Sequence, residues 1–290
     1  MAMGHGYEAS FGLVERPFSL TPDPSYIFES RSHRSALTTL TSALNHRERF
    51  VVLTGALGVG KTTLCRRLAA DLRAVGPVAV ISNPLLTPSG LFRLLLEDFG
   101  ASESTAFDDT EAANACRDRV VSFLIQPRPT GAVVLIDEAH SLPVSVVEQL
   151  LLLGALEQPG ELKLQLVLIG QPVVGERGAV GLRALAEHAP TKARLLPLGH
   201  DECEPYLLHR LRVAGGDGKG LFTPAAIDMI FSLSNGVPRL INLVAERALQ
   251  EAAAQRSRKI GPATIDAAVA SLELLRGAQR RFRWFSRRVS

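Results

Sequence analysis

The sequence has little cysteine and no long apolar run, and both shortages restrict the class of protein. Its three cysteines, Cys65, Cys116 and Cys203, are odd in number and widely spaced. This usage argues against a disulfide framework or a zinc site and is typical of a reduced cytosol. No apolar run approaches the roughly 18 residues that span a bilayer. The first residues, MAMGHGYEAS, contain no apolar signal core. We therefore expect a cytoplasmic protein.

Acidic residues are missing from the end of the chain. The last fifteen residues hold six arginines and no acid, so the remainder carries a net charge of −3 against +3 for the whole chain. Phenylalanine and tryptophan side chains lie between these arginines. Such a tail is a solvated basic end, a contact with an anionic membrane surface, or a nucleic-acid contact with stacked bases. Composition does not choose between these alternatives.

A glycine-rich turn between a strand and a helix is the strongest chemical signal. The stretch Phe50–Thr63 reads FVVLTGALGVGKTT and matches the phosphate-loop pattern G-x-x-x-x-G-K-[ST]. Glycines let backbone N–H groups turn towards phosphates, and the helix adds its positive dipole end. Lys61 would reach the β- and γ-phosphates of ATP, and Thr62 would bind Mg²⁺. The predicted nucleotide-binding residues are Gly55, Ala56, Gly58, Val59, Gly60, Lys61, Thr62 and Thr63.

An acidic pair follows a second buried strand. The four aliphatic residues before Asp137 indicate a strand covered on both faces, as in a parallel sheet. Ligands of such sheets bind at the carboxyl ends of the strands. Asp137 would hold the magnesium ion through water, and Glu138 would polarise the water that attacks the γ-phosphate. The alternative is that the acids merely close the strand.

Two further polar residues are candidates for contact with the γ-phosphate. Gln171 follows the predicted strand 163–170, beside the acidic strand, although a plain turn glutamine competes with this role. Arg239 lies in the first turn of a helix that begins with Pro238. The alternative for Arg239 is that it is a solvated surface arginine.

The order of elements predicts an α/β class protein with two domains. Hydrophobic residues make up 46% and charged residues 21% of the 290 residues, which indicates a globular chain with a sizeable core. Strands and helices alternate up to about residue 198, which predicts a doubly wound parallel sheet flanked by helices. Four helices follow without a strand. The predicted parts are an arm packed on the core (1–30), the α/β core (31–199), a helical lid (200–275) and a basic tail (276–290).

Several motifs in the same order resemble the AAA+ ATPases of the general secretion pathway protein A (ExeA) type. They are FGLVERPFSLTPDPSYIF, LTGALGVGKTTLCRRL, SNPLLTPSGLFRLLLEDFG, VVLIDEAHSL, LVLIGQP and NGVPRLINLVAERAL. The resemblance implies a P-loop AAA+ core with a five-stranded sheet and a helical lid. It also implies a homo-oligomer, as a hexameric ring or a helical filament, with ATP bound between protomers. In this comparison Asp137 and Glu138 are the Walker B acids, Gln171 the first sensor and Arg239 the second.

One motif departs from this family. Before the last core strand, relatives usually carry an arginine that reaches into the neighbour's site, and here His188 stands near that position. Arg183, Lys192 and Arg194 are nearby replacements, of which Arg183 is our candidate. Because an arginine finger is worth about 10³–10⁵ in rate, hydrolysis is expected to be slow or dependent on a partner.

Three functions are consistent with these motifs. The first is an ATPase motor or switch that assembles on ATP and drives or regulates a cell-envelope or secretion complex. The second is a DNA-bound ATP switch similar to the TnsC/TniB-type transposition ATPases, which would form rings or filaments on duplex DNA. The third is a scaffold that binds ATP and scarcely hydrolyses it.

Overall fold

The computed structural model describes residues 6–21, 23–82, 86–101, 113–126, 130–158, 161–162, 164–172 and 189–272. The chain divides into two compact units. One unit is Arg31–Leu196, and the other joins Met1–Ser30 to Pro197–Ser290. Each unit has its own apolar core and is described separately.

The first unit is built on a parallel sheet of five strands, which confirms the predicted fold class. The order across the sheet is β2-β3-β6-β1-β7, and every neighbouring pair is parallel. Two very short strands, β4 and β5, form a separate antiparallel pair that the sequence did not predict. The strands are β1 (Phe50–Gly55), β2 (Val78–Ile81), β3 (Ala132–Ile136), β4 (Glu157–Gln158), β5 (Glu161–Leu162), β6 (Leu164–Gly170) and β7 (Thr191–Leu195).

Helices cover both faces of this sheet and explain the continuous apolar strands. In β3, Val134 and Ile136 pack into the cluster formed with α3, α4 and α5, while Val133 and Leu135 pack into the cluster formed with α1 and α2. Because successive strand residues point to opposite faces, a strand between two helical layers needs apolar residues throughout. The helices are α1 (Arg31–Asn45), α2 (Lys61–Arg73), α3 (Pro88–Asp98), α4 (Ala113–Ile125) and α5 (Val144–Gly154).

The second unit contains helices α6 (His200–Val213), α7 (Pro224–Ser234), α8 (Pro238–Ala254) and α9 (262–272). Local sequence explains the helix that begins at Pro224. The hydroxyl of Thr223 accepts a hydrogen bond from the backbone N–H of Ala226, and proline occupies the first helical position. Asn235 ends this helix in the left-handed conformation, and Pro238 begins the next one. The predicted helical region is therefore present.

The N-terminal arm packs against this helical unit. Phe18 is fully buried, and Leu13 and Tyr26 are nearly so, in the same apolar cluster as Tyr206 and Leu207 of α6. The structure joins the described arm to the helices in one compact unit, and apolar side chains of the arm form part of the core of that unit. The predicted packing of the arm on the nucleotide-binding core stays a prediction.

The sequence pattern predicts the last core strand over 193–198, whereas in the structure this strand, β7, is Thr191–Leu195. It lies at the edge of the sheet, and only Ala193 and Leu195 are buried, while Lys192 and Arg194 are exposed. An edge strand with one buried face lacks the apolar run by which central strands are recognised. The helix predicted at 180–188 lies outside the described residues. No helix within the described ranges is long and apolar enough to cross a bilayer.

Candidate nucleotide-binding site

The carboxyl ends of three neighbouring strands bring the predicted site residues to one edge of the sheet. Strand β6 lies between β1 and β3, with Gly170 paired to Thr54 on one side and Leu168 paired to Ile136 on the other. The glycine-rich turn follows β1, the acidic pair follows β3, and Gln171 follows β6. Parallel sheets of this kind bind ligands at this edge.

Two glycines of the turn between β1 and α2 resist substitution, Gly60 because of its backbone conformation and Gly55 because of a close backbone neighbour. Gly60 has a φ of 106°, and a Cβ atom there would lie 2.8 Å from Nε2 of His33. A Cβ atom on Gly55 would lie 2.8 Å from the carbonyl oxygen of Leu195. Val59 is fully buried and anchors the turn. The turn therefore has the shape of a cradle whose space a larger side chain would fill.

Lys61 begins α2 and is folded back onto the turn. Its side-chain Nζ donates hydrogen bonds to the carbonyl oxygens of Gly55 and Ala56, each at 3.0 Å, and the residue is 4% exposed. Burial lowers the pKa of Lys61, and the nearby carboxylates of Glu138 and Asp137 offset that lowering in part. The ammonium group is therefore within electrostatic range of both acids, in a position suited to an anionic ligand.

Thr62 and Asp137 meet directly. The threonine hydroxyl donates a hydrogen bond of 2.6 Å to Oδ2 of Asp137, and the other carboxylate oxygen accepts the backbone N–H of Glu138 at 3.0 Å. Asp137 is 6% exposed, and its own N–H is held by the carbonyl of Ile81 at the end of β2. A hydroxyl beside a carboxylate is a hard oxygen pair of the kind that Mg²⁺ prefers. These residues therefore fit a magnesium ion.

Glu138 occupies an unusual backbone position immediately after the strand. Its φ is 51° and its ψ is 37°, in the left-handed region. A short turn of 3₁₀ helix, Ala139–Ser141, follows. Nε2 of His140 lies 3.3 Å from Oε2 of Glu138. His140, two residues after the second acid, was not among the predicted site residues.

The other predicted residues are not all in this cluster. Gln171 follows β6 directly and is half-buried, and Thr63 lies in the first turn of α2. Arg239 is exposed in the first turn of α8, in the other unit of the chain. Arg183 and His188 lie outside the described residues. The structure thus brings together Lys61, Thr62, Asp137 and Glu138, and leaves the roles of Gln171, Arg239 and Arg183 as predictions.

The parallel sheet and this cluster of residues are those of the AAA+ class, and comparison with known families agrees with this assignment. Residues 44–177 match the family model described as an AAA domain, and this range includes the glycine-rich turn, the acidic pair and Gln171. Over 257 residues, or 88% of the chain, the sequence is 39% identical to general secretion pathway protein A of Aeromonas hydrophila. These two findings confirm the resemblance to an ExeA-type AAA+ ATPase. The chain spans 46% of the length of that relative.

Solved structures with low sequence identity share the fold. Cdc6p from Pyrobaculum aerophilum matches with a TM-score of 0.68 and 17% identity, over 89% of this chain and 71% of that one. ORC1 from Aeropyrum pernix, in a complex with DNA, matches with a TM-score of 0.62 and 16% identity, over 89% of this chain and 70% of that one. Likeness at this level shows the fold alone.

Proposed function

We propose that the chain binds ATP with Mg²⁺ at the edge of the sheet and hydrolyses it. The observation that carries this proposal is the 2.6 Å contact between the Thr62 hydroxyl and the Asp137 carboxylate, next to the glycine cradle. A structural hydrogen bond alone would not need a buried lysine within electrostatic range of two acids. The combination of cradle, lysine, hydroxyl and carboxylate is the set that phosphoryl-transfer proteins use.

Each residue has a separate task in this proposal. Backbone N–H groups of the cradle would bind phosphate oxygens, and Lys61 would exchange its carbonyl partners for the terminal phosphates. Thr62 and Asp137 would hold the magnesium ion, which when bound offsets charge on the phosphate oxygens. Glu138 would accept the proton of the attacking water. Gln171 and Arg239 would contact the γ-phosphate as the two sensors.

We further propose that ATP drives self-assembly into a hexameric ring or a helical filament, with ATP between protomers. This follows from membership of the AAA+ class, in which a neighbour supplies an arginine. Arg183 is our candidate for that arginine. The proposal predicts that isolated protomers hydrolyse ATP slowly, because an arginine finger contributes about 10³–10⁵ in rate.

The biological role that we favour is a motor or switch for a cell-envelope or secretion complex. Its support is the 39% identity to a protein named for the general secretion pathway. On this proposal the chain works in the cytoplasm, with the inner membrane or an envelope protein as a contact of the basic tail.

DNA binding is the second candidate, and a separate observation favours it. The fold is shared with ORC1, which was solved in complex with DNA, and the arginine-rich tail would suit phosphates and stacked bases. In this alternative ATP orders rings or filaments on duplex DNA. A third candidate, an ATP-binding scaffold with weak hydrolysis, follows from His188 standing near the usual arginine position.

Nucleotide affinity and turnover of site variants test the proposal. We expect Lys61→Ala to weaken ATP binding at least tenfold, and Thr62→Ala to remove the dependence of binding on Mg²⁺. Titration calorimetry with and without Mg²⁺, followed by phosphate release, measures both effects. The matched control is Lys219→Ala, an exposed lysine in the helical unit. Wild-type affinity in the Lys61 variant would refute the proposed site.

A further inference from the structure

The imidazole of His140 lies against the carboxylate of Glu138 in a defined arrangement. Nε2 of His140 is 3.3 Å from Oε2 of Glu138, and the two side chains are 23% and 35% exposed. Both are thus partly shielded from water, so the contact is less screened than a pair on the open surface. None of the tasks described above uses this histidine.

The other ring nitrogen identifies the tautomer. Nδ1 of His140 is buried and has no hydrogen-bond partner within the described part of the chain. A neutral imidazole carries one N–H and one acceptor nitrogen. If the proton were on Nδ1, a buried donor would be left unpaired, and two lone-pair acceptors would face each other at Nε2 and Oε2. Of the two tautomers, the arrangement therefore favours the one with its proton on Nε2, which faces Oε2 of Glu138 at 3.3 Å.

The turn that carries both residues is firmly anchored. Ala139 is fully buried and Leu142 is 6% exposed, both in the cluster that also contains Val134 and Ile136 of β3. The N–H of Ser141 donates to the carbonyl of Glu138 at 2.9 Å. The backbone on either side of the histidine is therefore held, which fixes the point from which the ring meets the carboxylate.

We propose that His140 is the positioning residue of Glu138. Its Nε2–H holds one oxygen of the carboxylate, which selects one side-chain orientation and leaves the other oxygen to accept a proton from water. This inference rests on the proposed function, in which Glu138 is the base. It adds a residue that acts on hydrolysis through Glu138 without contacting the nucleotide.

A set of three substitutions separates positioning from structural support. His140→Ala removes the donor, and we expect a 10- to 100-fold loss of kcat, the usual effect of removing such an outer partner. The affinity for ATP should change less than about twofold, since the residues that bind ATP in the ground state are unchanged. His140→Gln places an amide N–H where Nε2 stood and should restore most of the rate. His140→Asn, whose amide corresponds to Nδ1, should not.

Kinetics of the full chain, by single-turnover hydrolysis and calorimetric ATP binding, distinguish these outcomes. His200→Ala is the matched control, because His200 is an exposed histidine in the helical unit. A kcat of His140→Ala equal to wild type would overturn the proposal. So would a Gln variant as slow as the Ala variant, since that pattern indicates packing rather than a donated hydrogen bond.

A second measurement does not depend on turnover. Nuclear magnetic resonance of the ¹⁵N-histidine-labelled full chain reports the tautomer of each ring, and the signal missing from His140→Gln assigns His140. We expect a proton on Nε2 whose resonance moves in Glu138→Ala. A proton on Nδ1, or no response to Glu138→Ala, would overturn the inference. If the wild type binds ATP without turnover, the hydrolysis proposed above fails, and this measurement still decides whether Nε2–H of His140 is directed at Glu138.

Discussion

At the scale of single residues, the conformation of Gly60 makes the site sensitive to one added methyl group. Its φ of 106° is disfavoured for other residues, and a Cβ would lie 2.8 Å from Nε2 of His33. We expect Gly60→Ala to cost about 1–2 kcal/mol of stability and to weaken ATP binding at least tenfold. Thermal unfolding and calorimetric titration measure the two effects.

A matched control for this substitution exists in the other unit. Gly261 has open space around its ideal Cβ and no positive φ, so Gly261→Ala should leave ATP binding at the wild-type value and cost only what alanine costs at the N-cap of α9, about 0.5–1 kcal/mol. The double variant Gly60→Ala with His33→Ala tests whether the clash with His33 or the backbone strain at Gly60 dominates. Relief of the clash would restore part of the stability, whereas the backbone strain would remain. Full recovery in the double variant would contradict the argument from φ.

The core of the site was predictable from the sequence because its chemistry is local. The spacing of the phosphate loop fixes Lys61 and Thr62 on one helix, and the aliphatic run before Asp137 fixes the acid at a strand end. Their contact follows from strand order, which the sequence alone does not give but the resemblance does. His140 was missed because its meaning depends on the left-handed backbone of Glu138, and nothing in the sequence predicts that conformation.

At the scale of elements, Arg210 of α6 adds polar contacts to the apolar packing that holds the N-terminal arm. Its guanidinium donates to the carbonyl oxygens of Pro17 and Ser19 and lies 4.5 Å above the ring of Tyr26. We expect Arg210→Ala to destabilise the helical unit by about 2–4 kcal/mol, because two carbonyls lose a charged donor. Faster hydrogen exchange in the arm measures the detachment.

The control for Arg210→Ala is a substitution of an exposed arginine in the same unit. Arg258 is exposed in the same unit, so Arg258→Ala should change neither stability nor exchange in the arm. Protection of the arm in Arg210→Ala equal to wild type would show that the apolar side chains alone hold it. Arg210→Lys is informative as well, since lysine keeps the charge and loses the planar group that stacks on Tyr26.

A histidine at the same junction gives the helical unit a pH dependence. Burial lowers the pKa of His209, as do the charges of Arg210 and Arg212, although a hydrogen bond with the backbone of Ile27 opposes this. The folded state therefore binds a proton more weakly than the unfolded chain, in which histidine has a pKa of about 6.5. The contribution of His209 to the free energy of unfolding is therefore fully present above that value and is lost as the pH falls below it.

The prediction is that the Tm of the helical unit falls between pH 8 and pH 5 by more in the wild type than in His209→Gln. Calorimetry at several pH values, with hydrogen exchange of α6 to locate the transition, measures the difference. Other groups titrate equally in both proteins, so their effects cancel in the comparison. Identical pH profiles would contradict the assignment to His209.

The elements differ in how well the sequence predicted them, and the reason is burial. Strands covered on both faces, such as β1 and β3, have continuous apolar runs that indicate both their position and their type. The edge strand β7 has only two buried residues, and its start was misplaced. The apolar composition of the arm predicted that it is packed, and the contacts that it makes with α6 were not predicted, because composition indicates burial without identifying the neighbouring residues.

At the scale of the whole molecule, ATP is expected to control assembly, and Glu138 offers the sharpest test. Glu138→Gln keeps the size of the side chain and its contact with His140, and removes the base. We expect this variant to retain ATP and to accumulate as rings or filaments, while Lys61→Ala stays unassembled with ATP. Light scattering and electron microscopy of the full chain, with and without ATP, measure both.

The same experiment separates the two cellular roles when duplex DNA is added. If the chain is a DNA-bound switch, DNA should promote assembly of Glu138→Gln, and the effect should fall steeply between low and high salt, because arginines that bind phosphates release counterions. If it serves an envelope complex, DNA should leave assembly unchanged, while vesicles with anionic lipids should recruit it through the tail. Assembly of the Lys61 variant to the extent of Glu138→Gln would contradict both, since it would separate oligomer formation from the nucleotide.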